Sequence, residues 1–113
     1  MQDDGGTTGG APQRLDPAQW GGALGERATL VQFSTAFCQP CRATRRVLGR
    51  VAGMVPGVRH VEIDAEEHLA LVRRLDIRRT PTVLVLDAKG SVVRRATGQP
   101  RTADVLAALA EAL

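Results

Sequence analysis

Two cysteines, Cys38 and Cys41, make up the whole cysteine content of this 113-residue chain. They stand three residues apart. Cross-linking so short a loop constrains the unfolded chain weakly, by roughly 2 kcal/mol, so the pair is a poor structural staple. Its placement suits redox chemistry or metal binding. Cys38 follows an apolar strand-like run and precedes a helix-like one, at the point where a helix would begin. The unpaired N–H groups of a helix start attract negative charge. A thiolate there is stabilised and becomes a nucleophile near neutral pH. Arg42 adds a positive charge of the same effect. Cys41, one helical turn later, can reach the Cys38 sulfur from a more buried position. The chemistry expected is thiol–disulfide exchange: Cys38 attacks a disulfide, and Cys41 then displaces the partner from the mixed disulfide. Pro40 fits the first helical turn, where no N–H is required of it.

The elements that must position this pair follow from the hydrophobic pattern. Thr29 to Ser34 is nearly continuous in β-prone residues, which suits a strand covered on both faces, with Gln32 as its polar exception. Residues 35 to 39 form a turn. Pro40 to about Ala52 reads as a helix with Cys41, Thr44, Val47, Leu48 and Val51 on one face and Arg42, Arg45, Arg46 and Arg50 mostly on the other. Gly53 reads as its stop. Val58 to Ile63 is a strand with Val61 and Ile63 on one face and His60 and Glu62 on the other. Asp64 can cap a helix from about Ala65 to Leu75. A loop broken by Pro81 leads into a hairpin, Val83 to Asp87 and Ser91 to Ala96, turning at Ala88-Lys89-Gly90. Thr102 is expected to cap a last helix through Ala112 with Val105, Leu106 and Leu109 inward. Before all of this, residues 13 to 15 read as a short extended piece. Asp16 and Pro17 open a short helix that places Trp20 and Leu24 on one face. Residues 1 to 12 read as a Gly-rich tail or linker, and 13 to 113 as one domain. The order is an α/β one: a central mixed sheet, its first two strands parallel through a right-handed crossover, with helices on both faces.

Composition narrows the function classes. Hydrophobic residues are 43% of the chain and aromatics 3%, so the core is aliphatic. The net charge is +3, and all basic residues but Lys89 are Arg. The charges are dispersed among twelve acids, and base-stacking aromatics are scarce, which argues against nucleic-acid binding. No apolar run approaches the ~20 residues of a membrane span, and the start lacks the pattern of a signal peptide. A cytoplasmic, monomeric protein is the expectation; an anchor lost from a longer chain is the alternative. Metal binding needs three or four ligands. His60 and His68 are eight apart, outside finger spacing, so no metal is expected. Thr35 lies three before Cys38, a spacing seen in peroxidatic sites, but Val31 stands where such sites carry Pro.

Taken together, these residues resemble the thioredoxin family. Phe33-Ser34-Thr35-Ala36-Phe37-Cys38-Gln39-Pro40-Cys41 is similar to the family's Phe-x-Ala-x-Trp-Cys-Gly-Pro-Cys, and Ile77-Arg78-Arg79-Thr80-Pro81-Thr82 to its Ile-x-x-x-Pro-Thr. Ile63-Asp64, Lys89-Gly90 and Gly98 follow in order, so the resemblance spans residues 15 to 113. It implies a thioredoxin-like fold and a protein-disulfide reductase needing no cofactor beyond the redox-active pair, recycled by a reductase such as a thioredoxin reductase. It implies a cis Pro81 against Cys38, a Thr80 backbone that pairs with extended substrate, and a Gly98 that lines the same groove, together with Phe37, Gln39 and Pro40. The family's buried Asp and Lys are replaced by Gln32 and His60. Gln32 cannot act as a base. His60 titrates near neutral pH and is the candidate for proton transfer, the alternative being a neutral, self-satisfying polar pair. Phe37 for Trp, Gln39 for Gly and Arg79 beside the Pro loop imply partners other than those of a general thioredoxin, acidic protein disulfides among them. Two further readings stay open: a scaffold that docks partners without turnover, and an extracytoplasmic oxidase or isomerase.

Overall fold

The computed structural model describes residues 13–113 and the backbone of Gln2–Asp3; the rest of the tail expected over 1–12 lies outside the described residues. Seven residues of unbroken burial make Ala28–Ser34 (β2) the central strand. It pairs in parallel with Val58–Asp64 (β3) and antiparallel with Thr82–Asp87 (β4), which forms a hairpin with Val92–Thr97 (β5). Gln2–Asp3 (β1) adds two residues to the far edge, giving the order β1-β5-β4-β2-β3. The parallel first pair and antiparallel hairpin are those expected from the pattern.

Alternation along the strands divides the core between the two faces. On one face, Val31, Phe33, Ile63, Leu84 and Leu86 pack with Leu15, Leu71 and Leu75, and Trp20 and Leu24 close the edge. On the other, Leu30, Val83 and Val85 meet Leu48 and Val51 of helix Gln39–Met54 (α1) and Val105, Ala108 and Leu109 of helix Thr102–Ala112 (α3). Gln32, between Val31 and Phe33, belongs to the α1 face and is wholly buried.

Four local expectations are corrected. α1 does not stop at Gly53: the Val55 N–H still bonds Val51 O at 3.1 Å, and the reversal is made at Gly57, whose φ of +83° costs a glycine little. The helix expected over 65–75 is two pieces, a 3₁₀ turn Ala65–Glu67 capped by Asp64 and helix Leu69–Arg74 (α2), because His68 between them has φ −134°. The short helix capped by Asp16 spans only Pro17–Gln19. Thr102 is the first residue of α3, Arg101 holds the cap position without a side-chain bond, and Leu106 is 40% exposed while Ala108 and Ala112 face inward. Among the described residues no helix is long and apolar enough to cross a membrane.

Candidate active site

Strand register brings three loops to one end of the sheet. Phe33 pairs with Thr82, and Thr82 with Thr97. The segment from Ser34 to Cys38, the Thr80–Pro81 segment and Gly98 therefore leave neighbouring strands side by side. The Thr80–Pro81 peptide is cis. The Gly98 N–H donates to Pro81 O at 3.0 Å, with Gly98 at φ +85°, and the hydroxyls of Thr35 and Thr80 lie 3.1 Å apart. The Thr35 contact ties the turn before Cys38 to the proline loop, and the sequence offered no sign of it.

Cys38 and Cys41 form a disulfide with their Cα atoms 5.2 Å apart. Cys38 occupies the N-cap position of α1, in extended conformation. Its sulfur accepts a hydrogen bond from the Cys41 N–H at 3.2 Å, in the place an N-cap oxygen would take. The two sulfurs differ in access: Cys41 is 1% exposed and Cys38 half-buried. Gln39 and Pro40 are exposed in the first turn. Thr44 Oγ1 donates to Pro40 O at 2.7 Å, which satisfies one carbonyl of that turn.

Phe37 is the outlier of the site. Its φ is +61°, a left-handed conformation that costs a non-glycine residue roughly 1–2 kcal/mol. Its ring is 95% exposed, so among the described residues no packing offsets that cost.

Behind Cys41 lies a polar network on the α1 face of the sheet. Gln32 Nε2 donates to Cys41 O at 2.8 Å and to Ser34 Oγ at 2.9 Å, with Glu62 Oε2 at 3.5 Å. Gln32 Oε1 lies 3.1 Å from His60 Nε2, which must be the donor because Oε1 can only accept. Burial pushes the His60 pKa below its ordinary 6.5, outweighing the attraction of Glu62. The outer end of the network is a bidentate pair: Arg45 Nε and a terminal Arg45 nitrogen donate to the two Glu62 oxygens at 2.6 and 2.8 Å. That pair, with the Ser34 hydroxyl acting in the same direction, holds the Glu62 pKa below its ordinary 4.5. The structure thus brings Gln32 and His60 together, as the sequence suggested, and joins them to the Cys41 backbone. Ser34, Glu62 and Arg45 enter the network without a sequence signal, because only the packing of α1 on β2 and β3 assembles it. Among the described residues no group of three or more His, Cys, Asp or Glu side chains could hold a metal ion.

This fold with a disulfide-forming cysteine pair is the equipment of thiol–disulfide exchange, and comparison with known proteins agrees. Residues 22–113 match the family of thioredoxin-like domains. Thioredoxin H5 of Oryza sativa subsp. japonica is 26% identical over 76 residues, 63% of this chain and 56% of that protein, so the chain spans little more than half the length of this curated relative. Thioredoxin f from spinach chloroplast, in its short form, superposes with a TM-score of 0.70 at 24% identity, covering 99% of this chain and 89% of that one. A mutant thioredoxin from Halobacterium salinarum gives a TM-score of 0.69 at 20% identity, covering 77% of this chain and 75% of that one. The fold, the cysteine pair and the matched span together make this chain a member of the thioredoxin-like family.

Proposed function

We propose that the protein is a protein-disulfide reductase. The observation that carries the reading is the asymmetry of the cysteine pair: a half-buried sulfur at a helix start, receiving an N–H, beside a buried sulfur one turn on. On reduction the same N–H groups stabilise a Cys38 thiolate. That thiolate attacks a substrate disulfide. A new S–S bond forms at Cys38, and the other substrate sulfur leaves with the electron pair and takes up a proton. The Cys41 thiolate then attacks Cys38 Sγ, forming the Cys38–Cys41 disulfide and expelling the second substrate sulfur. The substrate gains two electrons, and the protein must be reduced again by an external dithiol, the work of a disulfide reductase.

Substrate docks in the angle between the Cys38 turn, Thr80-Pro81 and Gly98. Thr80 offers its backbone to an extended segment, and Phe37, Gln39 and Pro40 form the rim. Exposed Arg42 and Arg79 favour acidic partners. A monomer in a reducing compartment such as the cytoplasm suits this direction of exchange.

The test is reduction of insulin by dithiothreitol. The protein accelerates it, Cys38→Ser abolishes the acceleration, and Cys41→Ser accumulates the mixed disulfide. No acceleration by the unaltered protein means a docking scaffold instead. Equilibration with glutathione sets the direction: a potential more negative than about −230 mV marks a reductant, and one near about −120 mV an oxidant.

A further inference from the structure

A wholly buried glutamine whose amide reaches the helix that carries the resolving cysteine needs an explanation beyond its own satisfaction. Gln32 has no titratable proton, yet it sits directly behind Cys41. Its amide is tied at both ends: Oε1 to His60, Nε2 to Cys41 O and Ser34 Oγ. The Cys41 carbonyl belongs to the first turn of α1, where α1 has just left the Cys38 cap. The bond from β2 to this carbonyl therefore joins the turn that carries the Cys41 sulfur to the central strand of the sheet.

We propose that Gln32 is a positioning residue for the second step of exchange: it clamps the first turn of α1 to β2 and holds the Cys41 sulfur in reach of Cys38. The inference rests on thiol–disulfide exchange at this pair, and extends it. Small misplacements of an attacking group are costly in rate, and it is the resolving step that depends on where Cys41 stands. Attack by Cys38 on a substrate depends mainly on access to its half-buried sulfur, which makes no bond to Gln32. A shift that costs the Cys41 sulfur its line of attack is small enough for the Cys41 N–H to keep its cap bond. In this arrangement His60 serves by donating to Gln32 Oε1. Its bond runs to Gln32, whose amide has no titratable proton, and Gln32 in turn bonds Cys41 O. The charged and titratable groups facing Gln32 are His60 and Glu62 of β3 and, beyond Glu62, Arg45 of α1. Its partner on β4 is the apolar Val83.

Two variants separate a clamp from a merely structural polar group. Gln32→Met keeps the shape and removes every hydrogen bond. Gln32→Glu keeps an acceptor for His60 but turns a carboxylate toward Cys41 O, and only its protonated form regains a donor. The reduced proteins are mixed with oxidised glutathione, and two rates are followed. Cys38 takes one glutathione and releases the other as thiolate; Cys41 then displaces the bound glutathione and closes the disulfide. The clamp predicts that Gln32→Met slows the second rate about tenfold, at all pH values alike, with Cys38 alkylation by iodoacetamide changed less than about twofold. Gln32→Glu slows the second rate at pH 8, and its ratio to the unaltered protein climbs back as pH falls. Because the new carboxylate also raises the Cys41 thiol pKa, that pKa is measured in each protein by alkylation against pH, and the second rates are compared per Cys41 thiolate. Equal slowing of both steps, or a pH-independent ratio for Gln32→Glu, overturns the clamp.

If neither variant folds, His60→Ala unties the carbonyl end of Gln32 and leaves its other bonds in place. A slowing of about threefold, confined to the second step and the same at every pH, supports the clamp. No slowing, or a ratio that varies with pH, overturns it. Because glutathione is the probe, failure of the clamp and failure of the protein-disulfide reductase reading are seen in different assays.

Discussion

Thr35 and Thr80 are separated by 45 residues of sequence and meet hydroxyl to hydroxyl at 3.1 Å, joining the turn that precedes Cys38 to the loop that carries Pro81. Both are half-buried. A bond of this kind is worth about 0.5–1.5 kcal/mol net. A double-mutant cycle with Thr35→Val and Thr80→Val, read by urea unfolding, is expected to give a coupling energy in that range. Additive single effects would show that the hydroxyls do not hold the loops together. The double variant should also turn over protein disulfides more slowly than it reacts with iodoacetamide, since docking suffers and the Cys38 cap does not.

The His60–Gln32 pair sets a pH dependence of stability. Burial lowers the His60 pKa, so between 6.5 and the depressed value the unfolded chain binds more protons than the native one. Stability then rises with pH across that window and is lost as pH falls below 6.5. The slope should be well under the ~1.4 kcal/mol per pH unit of a single whole proton, because His60 is only partly buried. Glu62, held ionised by Arg45, acts in the opposite range: its contribution is present above 4.5 and is lost only below it. Urea unfolding at pH 7.5 and 5.5 therefore isolates the histidine. His60→Gln keeps a donor for Gln32 without titrating, and should lose less stability over that interval than the unaltered protein. Identical losses would detach His60 from the effect.

Helix α3 supplies a contrast of two leucines three residues apart. Leu109 is 1% exposed in the core between α3 and the sheet, whereas Leu106 is 40% exposed. Leu109→Ala should cost about 2–5 kcal/mol, through lost burial and the cavity left behind. Leu106→Lys should change stability by less than about 0.5 kcal/mol. Comparable losses in denaturant unfolding would mean that α3 is rotated from this orientation.

These contrasts mark where the sequence was legible. The nearly continuous β-prone run of β2, the position of Cys38 at a helix start and the succession of strands along the chain were readable because each rests on local pattern. The facing of α3 was legible at Val105 and Leu109 but not at Leu106, because alanines pack as well as leucines against a sheet at close approach. Ala108 and Ala112 took the inward positions. The end of α1 was placed two residues early because Gly53 and Gly57 are equal as letters, and only Gly57, where the chain reverses, has positive φ. Gln32 could be singled out as a polar residue in a buried strand. That its amide reaches Cys41 O depends on how α1 lies across β2, which no spacing along the chain encodes.

Phe37 carries the last prediction. It holds a left-handed backbone with a fully displayed ring, one residue before the attacking sulfur. Glycine adopts that conformation freely but loses more entropy on folding, by about 0.5–1 kcal/mol. Relief of the strain, roughly 1–2 kcal/mol, outweighs this. Phe37→Gly should therefore leave stability unchanged or raise it by up to about 1 kcal/mol, an uncommon result for removing an aromatic ring. Strain retained at a site, with no packing among the described residues to offset it, points to a contact made with a partner. If the ring meets the substrate, Phe37→Gly should lower kcat/KM for a protein disulfide several-fold while leaving the reaction of Cys38 with glutathione disulfide nearly unaltered. Equal effects on the two substrates would mean that Phe37 shapes the Cys38 turn and does not touch the partner.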